Sequence, residues 1–153
     1  MTTAISWVFE AAVKPDGLDE YRALAREISA DNEAAEPNQV IFEWYIDHRD
    51  VHIYERYTDS AAALSHVERF VANFAERFLS LCTPTRMSVY GEPSDELKAA
   101  IAGFNPRYFG TVAGHARGLV PIPGFTRHGF WSRCGLLVPG DGHVRDRLAG
   151  RGA

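Results

Sequence analysis

Cysteine is scarce in this 153-residue chain, which has only Cys82 and Cys134. Neither thiol has partners at metal-ligand spacing. Two thiols do not make a disulfide framework, so a reducing cytoplasm is the expected compartment. Long apolar runs are also missing: no window approaches the ~18 residues that a membrane span needs. Residues 1–17 show no basic stretch leading into an apolar core, the pattern of a secretion signal. The chain has no GxGxxG, no phosphate-binding P-loop, no GxSxG and no HExxH. Dinucleotide, nucleotide, serine-triad and zinc-protease chemistry therefore have no motif to rest on. His48 and His52 flank a short turn without a third ligand at usable spacing, so no metal is expected. Internal repeats and low-complexity tracts are absent.

What is there is ordinary for a globular domain: 46% apolar and 24% charged residues, with a net charge of -4. The charge is unevenly placed. Residues 111–153 hold six arginines and only two acids, whereas residues 1–110 hold ten basic and 18 acidic side chains. The acidic part repels nucleic acid and anionic membrane, so neither is an expected partner. Most of the 13 glycines and half of the eight prolines lie beyond residue 104. This divides the chain into a folded domain, 1–104, and an irregular basic C-terminal extension, 105–153, without defensible periodicity.

Within the first part the punctuation is regular. Residues 4–13 are apolar and strand-like, closed by Pro15-Asp16-Gly17. A helix is expected over 18–32, where Leu18, Tyr21, Leu24, Ala25 and Ile28 recur at three- and four-residue spacing. Asp16 is its expected cap. Residues 40–48 and 51–58 are rich in β-branched and aromatic residues and form a hairpin around His48-Arg49-Asp50. Asp59 is placed to cap a long helix over 60–81, with an apolar stripe of Leu64, Val67, Val71, Phe74, Phe78 and Leu81. Thr83-Pro84 stops it, residues 86–90 form a last strand, and 96–102 a short helix.

The order is β-α-β-β-α-β, an α+β fold with a ferredoxin-like antiparallel sheet. Trp7, Phe9, Phe42, Trp44, Ile53, Tyr54 and Val89 exceed what two helices on one sheet face are expected to cover. A second copy packed sheet to sheet would cover the surplus, so a homodimer is expected.

Few residues carry chemistry. His66 lies beside the apolar stripe, at the edge of the core-facing side, where a pocket can open and an imidazole can take a proton. Glu55 interrupts an apolar strand. It is either a pocket acid that orients His66 or a salt-bridged interface acid. Glu43 and Glu10 compete for the same part. Trp44, Tyr45 and Tyr54, with Phe70 and Phe74 on the helix, are the candidate lining of a pocket for a small aromatic molecule.

The phrases Glu43-Trp44-Tyr45-Ile46-Asp47, Glu55-Arg56-Tyr57, Asp59-Ser60, Ala62 to His66, and then Phe70 and Phe74, resemble the antibiotic biosynthesis monooxygenase family over about residues 4–104. The resemblance implies a dimeric α/β barrel with a pocket between sheet and helices in each subunit. It implies a cofactor-independent monooxygenase of quinol- or anthrone-like compounds, with His66 and Glu55 as catalytic residues and no cofactor. The alternative is a barrel that binds a small hydrophobic ligand without catalysis. A haem-degrading enzyme ranks third, because strand 4–13 has no Asn and Tyr54 stands where a Trp is wanted.

Overall fold

The structure is a computed structural model and describes residues 3–115. Strand β1 (Ile5–Val13) runs through the middle of the sheet and alternates strictly, with every odd residue buried. Period-two alternation places Ile5, Trp7, Phe9, Ala11 and Val13 in one layer of side chains. Helix α1 (Leu18–Ala35) follows, then the hairpin of β2 (Gln39–Asp47) and β3 (Asp50–Tyr57). Two helices come next, α2 (Ser60–Asn73) and α3 (Ala75–Leu81), and lead into β4 (Cys82–Tyr90). Helix α4 (Asp95–Ile101), one 3-10 turn (Ala102–Phe104) and strand β5 (Arg107–Phe109) complete the described unit. The sheet order is β2-β3-β1-β4-β5. All pairs are antiparallel except β4 with β5. The first four strands have the ferredoxin-like arrangement the sequence predicts.

Four local features differ from the sequence expectation. Helix α1 is capped at Gly17 without a side-chain hydrogen bond, so Asp16 is not its cap. The long helix expected over 60–81 is broken at Phe74, whose φ of -130° leaves the helical range. Asn73 helps end α2 by turning its side chain back, Nδ2 donating to the Arg69 carbonyl at 2.9 Å. Strand β4 begins at Cys82 and contains Pro84, which has no N–H for the ladder. The register with β1 slips there, between Glu10/Arg86 and Ala11/Pro84. Strand β5 adds a fifth strand inside the stretch read as irregular. The remainder of the extension expected over 105–153, with its arginines and Cys134, lies outside the described residues from 116 on.

Asp59 does cap α2, its carboxylate accepting from Ala62 N–H at 2.9 Å, and Ser94 caps α4.

The layering corrects the surplus argument. Trp7, Phe9, Ile53 and Val89 are buried in the single chain, and Phe42 and Trp44 pack half-buried against the same core. All six fall on the helix-facing side, and α1, α2, α3 and α4 together cover more of the sheet than two helices would. Only Tyr54 of that group lies on the opposite face, beside Val8 and Glu43 in register.

Candidate functional site

Helix α1 determines the first member of the site by the way it ends. Pro37 disfavours helical geometry for the residue before it. Glu36 therefore leaves the helical range (φ -121°, ψ 74°) after donating its N–H to Asn32 O. That turn aims its carboxylate at α2, where Ala63 and His66 form the buried face. The expected stripe is thus displaced: His66 lies within the buried face, while Val71 is 62% exposed. From the sheet side, β3 directs Val51, Ile53, Glu55 and Tyr57 inward on alternate residues.

These elements place a carboxylate at each nitrogen of one imidazole. His66 Nδ1 lies 3.0 and 3.1 Å from the two oxygens of Glu36. Its Nε2 lies 3.2 Å from Glu55 Oε2. All three side chains are only 7–8% exposed. Tyr57 donates its hydroxyl in a short hydrogen bond to the same Glu55 oxygen, and Gln39 donates to Tyr57 at 3.0 Å. On the outer side Arg69 Nε stands 3.4 Å from Glu36, and Arg69 also pairs with Asp31 at 2.5 Å.

Burial opposes a charge on His66. The negative charge of Glu55 and the hydrogen bond and charge of Glu36 outweigh it, against a smaller opposing effect of Arg69, and hold the imidazole pKa above its ordinary value. Aromatic faces surround the ring: Tyr57 at 5.4 Å, Phe42 at 5.9 Å, and Phe70 stacked at 6.3 Å. Such faces favour a cation. Tyr57 is driven the other way. Its burial and the neighbouring Glu55 charge raise its pKa well above the usual phenol value and keep it neutral.

Glu55 and His66 form the polar part of the wall of an apolar cavity of about 60 Å³. Trp7, Phe9, Phe42, Trp44, Phe70 and Phe78 supply most of the remainder, and Phe104 and the exposed Val71 also line it. Trp44 Nε1 is buried there without a hydrogen-bond partner.

Of the residues singled out from sequence, Glu55, His66, Trp44 and Phe70 come together at this cavity. Tyr45 does not: it is 55% exposed on the opposite sheet face and donates to Glu43 at 2.6 Å. Tyr54 lies on that opposite face too, and Phe74 is buried in the core outside the cavity lining. Glu10 also faces away, 3.8 Å from His52 and 3.9 Å from Arg86. Sequence reasoning missed Glu36 and Tyr57. The signal for Glu36 was its place directly before Pro37 at a helix end. The signal for Tyr57 was its alternation with Glu55. Among the described residues no cluster of His, Cys, Asp and Glu is arranged to hold a metal ion, and no helix is long and apolar enough to cross a membrane.

No family model and no curated protein sequence matches the chain. Solved structures do. MupZ from Pseudomonas fluorescens is 19% identical with a TM-score of 0.68, over 76% of this chain and 97% of that one. A Nitrosomonas europaea protein assigned to the antibiotic biosynthesis monooxygenases is 16% identical with a TM-score of 0.54, over 60% and 92%. A mutant of SnoaB, a cofactor-independent oxygenase from Streptomyces nogalater, is 14% identical with a TM-score of 0.50, over 60% and 95%. These likenesses establish the fold, a ferredoxin-like α+β unit that the chain shares with those structures.

Proposed function

We propose that this chain is a cofactor-independent oxygenase of a small, electron-rich aromatic compound, acting as a homodimer in the cytoplasm. The observation that carries the reading is Glu55, a buried carboxylate paired with His66 on the wall of an aromatic-lined cavity. The fold shared with a cofactor-independent oxygenase supports it.

In this reading the base is Glu55. His66 has a carboxylate oxygen at both ring nitrogens and so offers no lone pair to a substrate. Glu55 takes the proton from an activated C–H or phenolic O–H, and the apolar wall excludes competing water. At a ring C–H of a quinol the carbanion then adds to O2, which is the oxidant. One oxygen atom stays on that carbon as a carbonyl and the other leaves as water with the C–H hydrogen and one phenolic hydrogen, so the quinol ends as a hydroxyquinone. An apolar cavity of roughly 150 Å³ accommodates a benzene ring, so the present cavity of about 60 Å³ admits a ring only when its wall gives way. The wall closest to the outside is the last turn of α2, with Phe70 and Val71. Single-ring quinols therefore stand ahead of tricyclic anthrones, and a porphyrin is far too large. The buried thiol of Cys82, pushed up to about 12 by burial, is unreactive and suits a reducing compartment.

Oxygen uptake over a panel of quinols, naphthols and anthrones tests the reading. Turnover on a panel member, reduced about 10²–10⁴-fold by Glu55→Gln, is expected. Unchanged turnover in that variant removes Glu55 as the base. A panel compound that binds, seen by quenching of tryptophan fluorescence from Trp7 and Trp44 in the cavity wall, without any oxygen uptake establishes the binding-only reading, which the largely apolar lining favours as runner-up.

A further inference from the structure

We propose that Glu36 is the positioning residue of this site, holding His66 doubly protonated so that a fixed positive charge stands against Glu55. The inference rests on the reading of Glu55 as the base and supplies what that base requires.

An ionised carboxylate only accepts hydrogen bonds. Both Glu36 oxygens lie within 3.1 Å of Nδ1, so that nitrogen carries a hydrogen. At Nε2 an unprotonated nitrogen would set its partial negative charge 3.2 Å from Glu55 Oε2. A hydrogen there turns the same contact into an ion pair. Two N–H groups on one imidazole make the imidazolium.

Charged and hydrogen-bonding groups surround the two carboxylates. From α2, Arg69 stands beside Glu36, and it is itself anchored to Asp31 of α1. From β3, Tyr57 donates to Glu55, with Gln39 of β2 donating to Tyr57 in turn. Trp7 of β1, Phe42 of β2 and Phe70 of α2, the other ring neighbours, do not titrate.

Without Glu36 the balance changes. A neutral ring with hydrogen only on Nε2 would still satisfy Glu55, and burial would then favour that neutral form. Glu55 would lose the cation beside it, without any change in the residues that touch substrate.

The test is nitrogen NMR of the His66 ring in the full-length protein, against pH, for wild type and Glu36→Gln. Wild type is expected to show both ring nitrogens protonated at pH 7. In E36Q that signature is expected to be lost at pH 7, with the titration midpoint moved to lower pH and hydrogen retained on Nε2. A neutral His66 at pH 7 in wild type overturns the proposal, as does an unmoved midpoint in E36Q. Should E36Q fail to fold, Glu36→Asp, which withdraws the carboxylate by one methylene, is read in the same way, and the wild-type signature remains decisive. No substrate enters these measurements. A barren aromatic panel would sink the oxygenase reading and leave Glu36 standing, and the reverse outcome would spare the oxygenase.

Discussion

A charged imidazole between two buried carboxylates ties the stability of this domain to pH. The folded His66 pKa lies above its unfolded value, because Glu55 and Glu36 outweigh the cost of burial. A group raised on folding stabilises fully below its unfolded pKa, near 6.5. That contribution is lost as pH rises through the folded value. Urea midpoints are therefore expected to fall on going from pH 6 upward through the His66 titration; a midpoint that rises over that range would contradict this sign. Removing the ring is harsher. His66→Ala leaves Glu36 and Glu55 buried without their cation, and breaking a buried pair in this way costs about 3–5 kcal/mol. Chemical denaturation reads this directly, and a loss below 1 kcal/mol would mean that water already screens the pair. The sequence made two of the three residues legible. An acid in an apolar strand and a histidine near a helical stripe are local anomalies. Glu36 was not, because its role depends on where α1 stops and on what lies 30 residues further along.

At the scale of elements, the strands and the first helix follow from periodicity, and their residues lie where alternation and three-to-four spacing put them. The break at Phe74 does not. Neither glycine nor proline marks it, and the apolar stripe runs through it without interruption. Tertiary packing decides it: Phe74 turns into the core outside the cavity lining, while Phe70, one turn earlier, and Phe78, one turn later, line the cavity. Strand β5 escaped for another reason, since three residues are too few for an alternation to register. The break has a dynamic consequence. The last turn of α2 carries the exposed Val71 and abuts a helix interruption, so it is the part of the cavity wall that opens at least cost. Hydrogen exchange is expected to be faster at residues 70–73 than at Leu24 and Ile28 in the middle of α1. Equal protection at the two places would transfer the entry route to the other exposed side of the cavity, at Phe104.

The described unit presents one sheet with helices on a single face, and the proposed homodimer would form through the other. Its rows are mixed in character. Glu43, Tyr54, Val8, Ser88 and Arg107 form one row in register, and Tyr45, His52, Glu10 and Arg86 the next. Tyr90 and Phe109 stack at 5.4 Å near one end. The apolar surplus first expected to drive pairing is largely spent inside the chain, which leaves Val8, Ala12, Tyr54, Tyr90 and Phe109 among charged neighbours. Antiparallel sheets tolerate water on one face, so a dimer through this face has to draw on shape and paired charge as well as on apolar area. An isologous interface would set this face against its own copy, with Val8 on the central strand β1. Light scattering on the eluting peak is expected to give twice the 17.0 kDa chain mass. Val8→Asp, which sets a carboxylate on that central strand, is expected to halve that mass while leaving the helix-side cavity and the His66 signature intact. A wild-type protein eluting at the mass of one chain would overturn the dimer and leave the open face as a solvated surface.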